Sequence, residues 1–442
     1  MTILTIVGLS LLILLVVAIL SIIIYFFIVP IKRPRLNHSD LSEPGLLWRM
    51  YYAHKYVKAI KLPARGSAID TYFRNLRFDF DHRPLSQSRF VSLRAVGDLM
   101  ARPDLRGDHP TLWEEIGPEL FKADLSIGNL ECAVNPARLI HKTIRYSVRP
   151  EQADALLGDK RFGTFSIVSM GNNHVNDSLT QGINATCDYL DQAGVKHVGA
   201  GRTQQEQDEI PILKVGPARI AVLSYTFTTN GIPLEEGASH AVNVVKFNAL
   251  SDRDYDPSLI HKHIRIAKQR GADYIVCCNH WGVEFEYYPP ARIIRRGRDL
   301  LDAGVDLILG HHPHIVNPVD RYRTKDGRDG IIYYSLGNTT TYALKGAIKR
   351  LGAMANLTLE VGVDSKGRRV VRPYAVAATP FVYCKNKRGG AVEHRLVHLK
   401  NAYQAIASGK APEYLSKADV RRISFAYREY DKYFKQAGLG WK

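Results

Sequence analysis

The sequence predicts an α/β fold behind one apolar amino-terminal segment, and three observations lead to this prediction. From about Phe90 onward, apolar strand patterns alternate with amphipathic helical patterns, which is typical of α/β domains. Polar residues follow most of the predicted strands at their carboxyl ends, where open α/β sheets bind ligands. Residues 3–29 contain no charged side chain. We therefore expect a transmembrane anchor at 3–29, a linker at 30–89, one large domain at 90–380 and a basic helical extension at 381–442.

The apolar segment 3–29 is long enough to cross a bilayer, because about 20 helical residues span the hydrocarbon core. A cleaved signal peptide is the alternative, but it would carry a basic amino-terminal region and a shorter apolar stretch. No Lys or Arg precedes the segment, whereas Lys32, Arg33 and Arg35 follow it. Basic flanks tend to stay in the cytoplasm. Charge alone therefore predicts a single-pass protein of the cell membrane with its large domain inside.

The linker at 30–89 is basic and aromatic, and its stretch from Leu46 to Lys61 has a helical pattern. Aromatic and basic residues interleave there: Trp48, Tyr51, Tyr52 and Tyr56 with Arg49, Lys55, Lys58 and Lys61. A juxtamembrane helix would place these rings at the membrane interface and the cations against anionic lipid. An ordinary surface helix of the domain would show the same pattern. The sequence leaves both alternatives open.

The composition is strongly basic, with 60 Lys and Arg against 43 Asp and Glu and a formal charge of +17. Such an excess indicates an anionic partner, such as a membrane surface, an acidic polymer or nucleic acid. No nucleic-acid-binding module is recognisable, and the anchor argues against one, so we predict no nucleic-acid partner. The five cysteines show no paired C-x-x-C spacing. They therefore predict neither a structural zinc site nor a disulfide framework, and they favour a reducing compartment.

The individual elements follow from hydrophobic periodicity. Strands are predicted at Phe90–Val96, Ala123–Ile127, Phe165–Met170, Arg219–Tyr225, Tyr274–Cys278, Leu307–Leu309, Ile331–Ser335 and Met354–Val361. Helices are predicted at Thr111–Lys122, Leu179–Ala193, Pro257–Arg270 and Arg292–Ala303. The last two helices end just before a glycine, as helices with a glycine C-cap do.

The polar residues at the strand ends are metal-ligand types. They are Asp98, Glu131, Asn173, His174, His280, His311, His312, His314 and Asn338. An Asp after a strand more often caps a turn, and a lone His in an apolar context is more often a core residue. The run from His311 to His314 is more specific, since three imidazoles around a proline pack poorly but form a good ligand loop. If the strand ends converge, carboxylates and imidazoles meet there.

The order of these motifs resembles the CapA family of poly-γ-glutamate capsule synthesis proteins. The motifs lie between Ser92 and Asn338 and read Gly-Asp-Leu-Met, Asn-Leu-Glu, Asn-Asn-His-x-x-Asp, His-Trp-Gly-x-Glu, Gly-His-His-Pro-His and Tyr-Ser-Leu-Gly-Asn. That family is similar to the calcineurin-like metallophosphoesterases, which implies a four-layer α/β/β/α sandwich. The resemblance also implies an anionic polymer or phosphoester substrate and partner subunits of a polymer synthase. It places the large domain outside the membrane, against the flanking charges.

The resemblance implies roles for individual residues. Asp98 and His314 would hold one divalent metal ion, Asn173, His280 and His312 a second, and Glu131 would bridge both. His174 would be a catalytic proton donor or charge stabiliser oriented by Asp177. His311 and Asn338 would lie just outside the ligand set, with His311 alternatively facing the substrate. Carboxylate, amide and imidazole ligands suit manganese, iron, zinc or magnesium and do not discriminate among them.

The sequence departs from the metallophosphoesterase pattern at the first strand. Those enzymes have Asp-x-His, whereas this chain has Asp98-Leu99-Met100, so one imidazole is missing and the first metal is expected to be weakly held or absent. Two functions follow. The protein is either a membrane-bound participant in synthesis or export of an anionic capsule polymer, or a stand-alone metal-dependent phosphoesterase.

Overall fold

The structure is a computed structural model that describes residues 3–28, 45–105, 109–135, 147–341, 346–436 and 438–441. The α-helices are α1 Ile3–Ile28, α2 Leu46–Val57, α3 Ile69–Asn75, α4 Gly117–Phe121, α5 Pro150–Leu157, α6 Leu179–Gln192, α7 Gln204–Asp208, α8 Ser258–Gln269, α9 Ala291–Ala303, α10 Leu399–Ala407 and α11 Lys417–Tyr433. Short 3₁₀ turns lie at Asp252–Asp254 and Ile348–Arg350.

The strands are β1 Ser86–Leu99, β2 Leu125–Leu130, β3 Ala133–Val134, β4 Ser147–Val148, β5 Gly158–Asp159, β6 Gly163–Thr164, β7 Ile167–Ser169, β8 Lys196–Val198, β9 Ile212–Val215, β10 Ala218–Thr226, β11 Tyr274–His280, β12 Leu307–His311, β13 Val319–Arg323, β14 Asp329–Tyr333, β15 Asn338–Thr340, β16 Leu351–Val363, β17 Arg369–Arg388, β18 Ala391–His398 and β19 Gly440–Trp441. The predicted α/β class is confirmed.

Most strands belong to one of two sheets. The larger sheet has the order β18-β17-β16-β1-β2-β7-β8, with β15 paired to β1 and β19 to β17. The smaller sheet has the order β13-β14-β12-β11-β10-β9. Strands β1, β2, β7 and β8 run parallel to one another, as do β10, β11, β12 and β14. Each parallel set therefore brings its carboxyl ends to a single edge of its sheet.

The two sheets face each other across a shared apolar core. Leu93 and Ile127 of the larger sheet lie in one cluster with Val222, Val276 and Leu309 of the smaller sheet. A second cluster lies between the larger sheet and α4, α5 and α6, and a third includes the apolar faces of α8, α9 and α11. Because every strand alternates its side chains between two faces, this arrangement explains why the central strands are apolar throughout.

The predicted helix Thr111–Lys122 is wrong over most of its length. Only α4, Gly117–Phe121, is helical, and turns precede it. Pro118 occupies its first turn, and a proline inside a longer helix would clash with the preceding turn and lack one hydrogen-bond donor. Trp113 instead enters the core, where its indole nitrogen donates to the Ala155 carbonyl at 2.9 Å.

The chain after residue 380 begins with a β-hairpin. Strand β17 runs through the predicted domain boundary at 380, and β18 pairs with it in antiparallel register before α10 and α11 begin. Gly389 and Gly390 both have positive φ, 56° and 85°, which suits a two-residue hairpin turn. The first part of the predicted helical extension is therefore strand.

Helix α1 comprises 26 residues. In α1 the structure describes the side chains of residues 7–21. Within the part of the chain that is described in this way, none of the helices has both the length and the apolar character of a membrane span. Lys32, Arg33 and Arg35, on which the predicted orientation depends, lie outside the described residues.

Helix α2 packs against the large domain. Trp48, Tyr51 and Lys55 are 5%, 1% and 0% exposed. The Tyr51 hydroxyl donates to Glu286 Oε1 at 2.9 Å, and the following segment forms a β-bridge between Ile60 and Glu286. These contacts favour the interpretation of α2 as a helix of the domain over a helix whose rings lie in lipid.

Candidate metal centre

The strand ends of the two sheets meet in one buried cluster. It contains all the predicted metal ligands, namely Asp98, Glu131, Asn173, His280, His312 and His314, each no more than 4% exposed. Asp98 near the end of β1 aligns with Asn129 of β2 and Asn338 of β15. His280, the last residue of β11, aligns with His311, the last residue of β12. The facing of the two sheets brings these groups together.

Asp98 is the centre of one half of the cluster. Its Oδ1 accepts from the Asn129 amide at 2.8 Å and lies 3.4 Å from His311 Nδ1. Its Oδ2 lies 3.1 Å from His314 Nδ1 and accepts from the His312 backbone N–H at 3.3 Å. Burial raises the pKa of Asp98, but the His311 and His314 imidazoles outweigh burial and hold that pKa well below its usual range. Asp98 is therefore an anion facing imidazoles.

Glu131 and His280 form the other half. His280 Nε2 lies 3.5 Å from Glu131 Oε1 and 2.8 Å from Asn173 Oδ1, and His314 Nε2 lies 3.8 Å from Glu131 Oε1. Burial, followed by the nearby Asp98 carboxylate, raises the pKa of Glu131 well above its usual value. Two carboxylates in one buried cluster repel each other, and a divalent cation between them would relieve that repulsion.

Asp98, Glu131 and His314 each offer a ligand atom within 4.8 Å of the others. Burial lowers the pKa values of His280 and His312 well below the ordinary value for histidine, so both rings are neutral, which is the form that binds metal ions. Neither ring nitrogen of His312 has a hydrogen-bond partner among the described residues. Buried polar atoms without partners call for an explanation such as a missing ion. This donor set fits a divalent metal.

The loop from His312 to His314 has an unusual backbone. His312 and His314 adopt positive φ values of 94° and 54° on either side of Pro313. Residues other than glycine in this region cost of order 1–3 kcal/mol each, and such strain concentrates at functional sites. Phe285, at φ 59°, donates its backbone N–H to the Pro313 carbonyl at 2.9 Å. This backbone conformation accompanies the placement of both imidazoles of the loop in the cluster.

Asn338 fixes the orientation of His314. Its Oδ1 accepts from His314 Nδ1 at 2.9 Å, and its Nδ2 donates to the Lys349 carbonyl at 2.7 Å. With Nδ1 held by Asn338, the other ring nitrogen of His314, Nε2, is the one that lies near Glu131, 3.8 Å from its Oε1. Such an outer partner sets the tautomer of a metal-binding histidine.

His174 and Asp177 form a separate pair beside the cluster. His174 Nδ1 donates to Asp177 Oδ2 at 2.8 Å, and the His174 backbone N–H donates to Asn172 Oδ1 at 3.1 Å. The two residues are 8% and 1% exposed. His174 directly follows Asn173, so this oriented imidazole lies next to the predicted ligands.

Asn129 and Glu284 both lie in the sequence motifs described above, but the sequence predicts no role for either residue. Asn129 contacts Asp98 and lies 3.5 Å from His280 Nδ1. Glu284 is 6% exposed, and its Oε1 accepts from the Tyr52 hydroxyl of α2 at 3.0 Å. Burial raises the pKa of Glu284, whereas the Lys55 and His314 charges act to lower it. The acidic end of the His-Trp-Gly-x-Glu motif was the signal for Glu284.

At the position after the first strand where the sequence lacks the expected imidazole, the structure has a packed methionine side chain. Met100 lies in the apolar cluster on the helical side of the larger sheet and is 7% exposed. Its backbone N–H donates to Thr340 Oγ1 at 3.0 Å. Met100 therefore contributes packing and strand pairing.

The family model for the bacterial capsule synthesis protein PGA_cap matches residues 92–342, more than half of the chain. The chain belongs to this family. The family is part of the metallophosphoesterase-like superfamily. The match includes every predicted ligand, His174 and Asp177, whereas α2 lies outside it.

Two relatives are the capsule biosynthesis protein CapA of Bacillus anthracis, 30% identical over 264 residues, and the PGA biosynthesis protein CapA of Bacillus subtilis, 32% identical over 257 residues. Each alignment covers 56% of this chain, and 59% and 62% of the two relatives. The chain thus spans less than two thirds of their length. Among solved structures, a Staphylococcus aureus protein assigned as a 5′-nucleotidase aligns with a TM-score of 0.37 at 12% identity, covering 77% of this chain and 58% of that one.

Proposed function

We propose that this chain is a membrane-anchored protein of capsule or poly-γ-glutamate synthesis or export, and that its buried cluster is a metal centre. The observation that carries the proposal is the family match over 92–342, because the same residues hold the whole cluster. The relatives named for capsule and PGA biosynthesis support an anionic polymer as the substrate or cargo. Other polymer-synthase subunits are the partners that we expect.

Helix α1 supports the proposed anchor. Its large apolar side chains between Val7 and Leu20 are 46% to 65% exposed, and a bilayer would cover such a surface. A reporter fused after Lys442 tests the orientation. Activity only inside the cell would agree with the basic flank, and activity only outside would agree with the family resemblance.

The proposed ligands are Asp98, Glu131, Asn173, His280, His312 and His314. Divalent metal ions bound by such residues polarise phosphoryl oxygens and lower the pKa of bound water. Asn338 fixes the tautomer of His314, and Asn129 holds the Asp98 carboxylate in place.

His174 is the proposed proton donor. Asp177 accepts from its Nδ1, which fixes the ring and leaves Nε2 as the atom that carries the exchanged proton. An oriented acid of this kind typically contributes 10²- to 10⁴-fold in rate. This pair is the specific observation that favours the second candidate function, a stand-alone metal-dependent phosphoesterase, because a pure scaffold needs no oriented imidazole.

A capsule assay tests the first function. In a poly-γ-glutamate-producing bacterium that lacks its own CapA, the wild-type chain should restore polymer, and His312→Ala should not. His261 is exposed on α8, so His261→Ala is the matched control and should behave as wild type. Full restoration by His312→Ala would refute a working metal centre in polymer synthesis.

An assay in vitro tests the second function. The purified chain should hydrolyse model phosphomonoesters or phosphodiesters when Mn²⁺ is present, and His174→Ala should lose turnover by at least about 100-fold while keeping the wild-type metal content. Unchanged turnover in His174→Ala would rule out its role as proton donor. No turnover in the wild type would leave only the polymer function.

A further inference from the structure

We propose that His311 is itself a metal ligand and supplies the imidazole that is missing at Met100. The inference rests on the proposed metal centre, because it names the residue that completes the half of the centre around Asp98.

The strand geometry directs His311 toward Asp98. Side chains alternate along a strand, and Leu307 and Leu309 of β12 both lie in the core between the two sheets. His311 therefore faces the same way, toward the larger sheet, where β1 ends. Its Nδ1 lies 3.4 Å from Asp98 Oδ1, and its side chain is almost completely buried.

The separation between His311 and Asp98 suits two ligands of one ion better than a hydrogen bond. Hydrogen bonds from nitrogen to oxygen span about 2.7–3.2 Å. Two ligand atoms bonded to one ion at about 2.1 Å lie roughly 3.0–3.4 Å apart in octahedral or tetrahedral geometry. Neither ring nitrogen of His311 has a hydrogen-bond partner among the described residues. Such an imidazole, enclosed beside a carboxylate, has the arrangement of a ligand.

The competing interpretation is that His311 only orients Asp98. Loss of an orienting partner lowers metal affinity by about 10- to 100-fold but keeps the ion at saturation. Loss of a ligand removes the ion or changes its coordination. The number of bound ions and their spectrum therefore separate the two roles without any measurement of turnover.

The experiment uses the full chain in detergent, loaded with Co²⁺ and measured by elemental analysis and visible absorption. The wild type should bind two Co²⁺ ions per chain, and His311→Ala should bind one, with the loss of part of the Co²⁺ absorption. His394→Ala is the matched control, because His394 is also a buried histidine but hydrogen-bonds to Tyr383 on β17. It should bind two ions.

If His311→Ala still binds two Co²⁺ ions and keeps the wild-type absorption spectrum, the proposal is overturned. It is also overturned if the wild type binds fewer than two Co²⁺ ions. If His311→Ala does not fold, His311→Leu, which keeps more of the side-chain volume and offers no ligand atom, makes the same test. A wild type with two ions, one lost in the variant, but no turnover would refute the phosphoesterase and leave the role of His311 standing.

Discussion

Helix α2 lies outside the family match, yet its contacts predict that it stabilises the domain next to the proposed metal centre. Tyr51 is 1% exposed, and its hydroxyl donates to the buried Glu286 carboxylate at 2.9 Å. Removing a donor from a hydrogen bond to a charged group typically costs about 1.5–3 kcal/mol. We expect Tyr51→Phe to lower the free energy of unfolding by that amount, since the ring keeps its packing and only the donor is lost.

Urea unfolding followed by tryptophan fluorescence measures this change. Tyr403 stacks on Tyr427 with ring centroids 3.8 Å apart, and Tyr403→Phe keeps that stacking, so this control should stay within about 0.5 kcal/mol of wild type. Amide hydrogen exchange in α2 should also speed up in Tyr51→Phe. Equal unfolding midpoints for the two variants would refute the docking of α2 on the domain.

Further predictions concern pH and the outer partners of the site. Burial lowers the pKa of Lys349 from 10.5 to about 8, so between these pH values the unfolded chain binds more protons than the folded chain. The free energy of unfolding of the wild type should therefore rise as the pH increases from 8 to 10.5. Relative to Lys349→Met, the increase should reach up to about 3 kcal/mol. Burial lowers the pKa of His394 from 6.5 to about 4, so wild-type stability should fall relative to His394→Gln as the pH drops from 6.5 to 4. Urea unfolding measures both effects. If the free energy of unfolding depends on pH in the same way in the wild type and the variant, the prediction for that residue is contradicted. Asn338→Ala should weaken metal binding about 10- to 100-fold by releasing His314, measured by calorimetric titration with Mn²⁺, and unchanged affinity would show that Asn338 does not orient that ring.

The central strands could be predicted because their signal is local. Phe90–Val96 and Tyr274–Cys278 lie within β1 and β11, and their apolar runs stop where polar residues begin. The hairpin of β17 and β18 was missed although Gly389-Gly390 marks its turn, because the basic and aromatic residues around it also suit a helix. The interruption of the predicted helix Thr111–Lys122 could likewise have been predicted, because Pro118 is visible in the sequence.

The residue types of the site could be predicted from the sequence, but the distances between their side chains could not. The approach of His311 to Asp98 depends on how β12 faces β1 across the core, and no local pattern encodes how two sheets face each other. The contact between Glu284 and Tyr52 joins residues 232 positions apart. The sequence also left open whether α2 belongs to the domain, since lipid and protein both cover aromatic rings.

The pair of His174 and Asp177 bears most directly on the choice between scaffold and enzyme. Neither residue is among the proposed metal ligands. Burying the Asp177 carboxylate at 1% exposure costs free energy unless it is paired, and here its hydrogen bond fixes an imidazole beside the proposed metal centre. A polymer-binding scaffold gains nothing from an imidazole held in one orientation, whereas a reaction that transfers a proton does. The geometry therefore favours the proposal in which the centre acts chemically over one in which it is only structural.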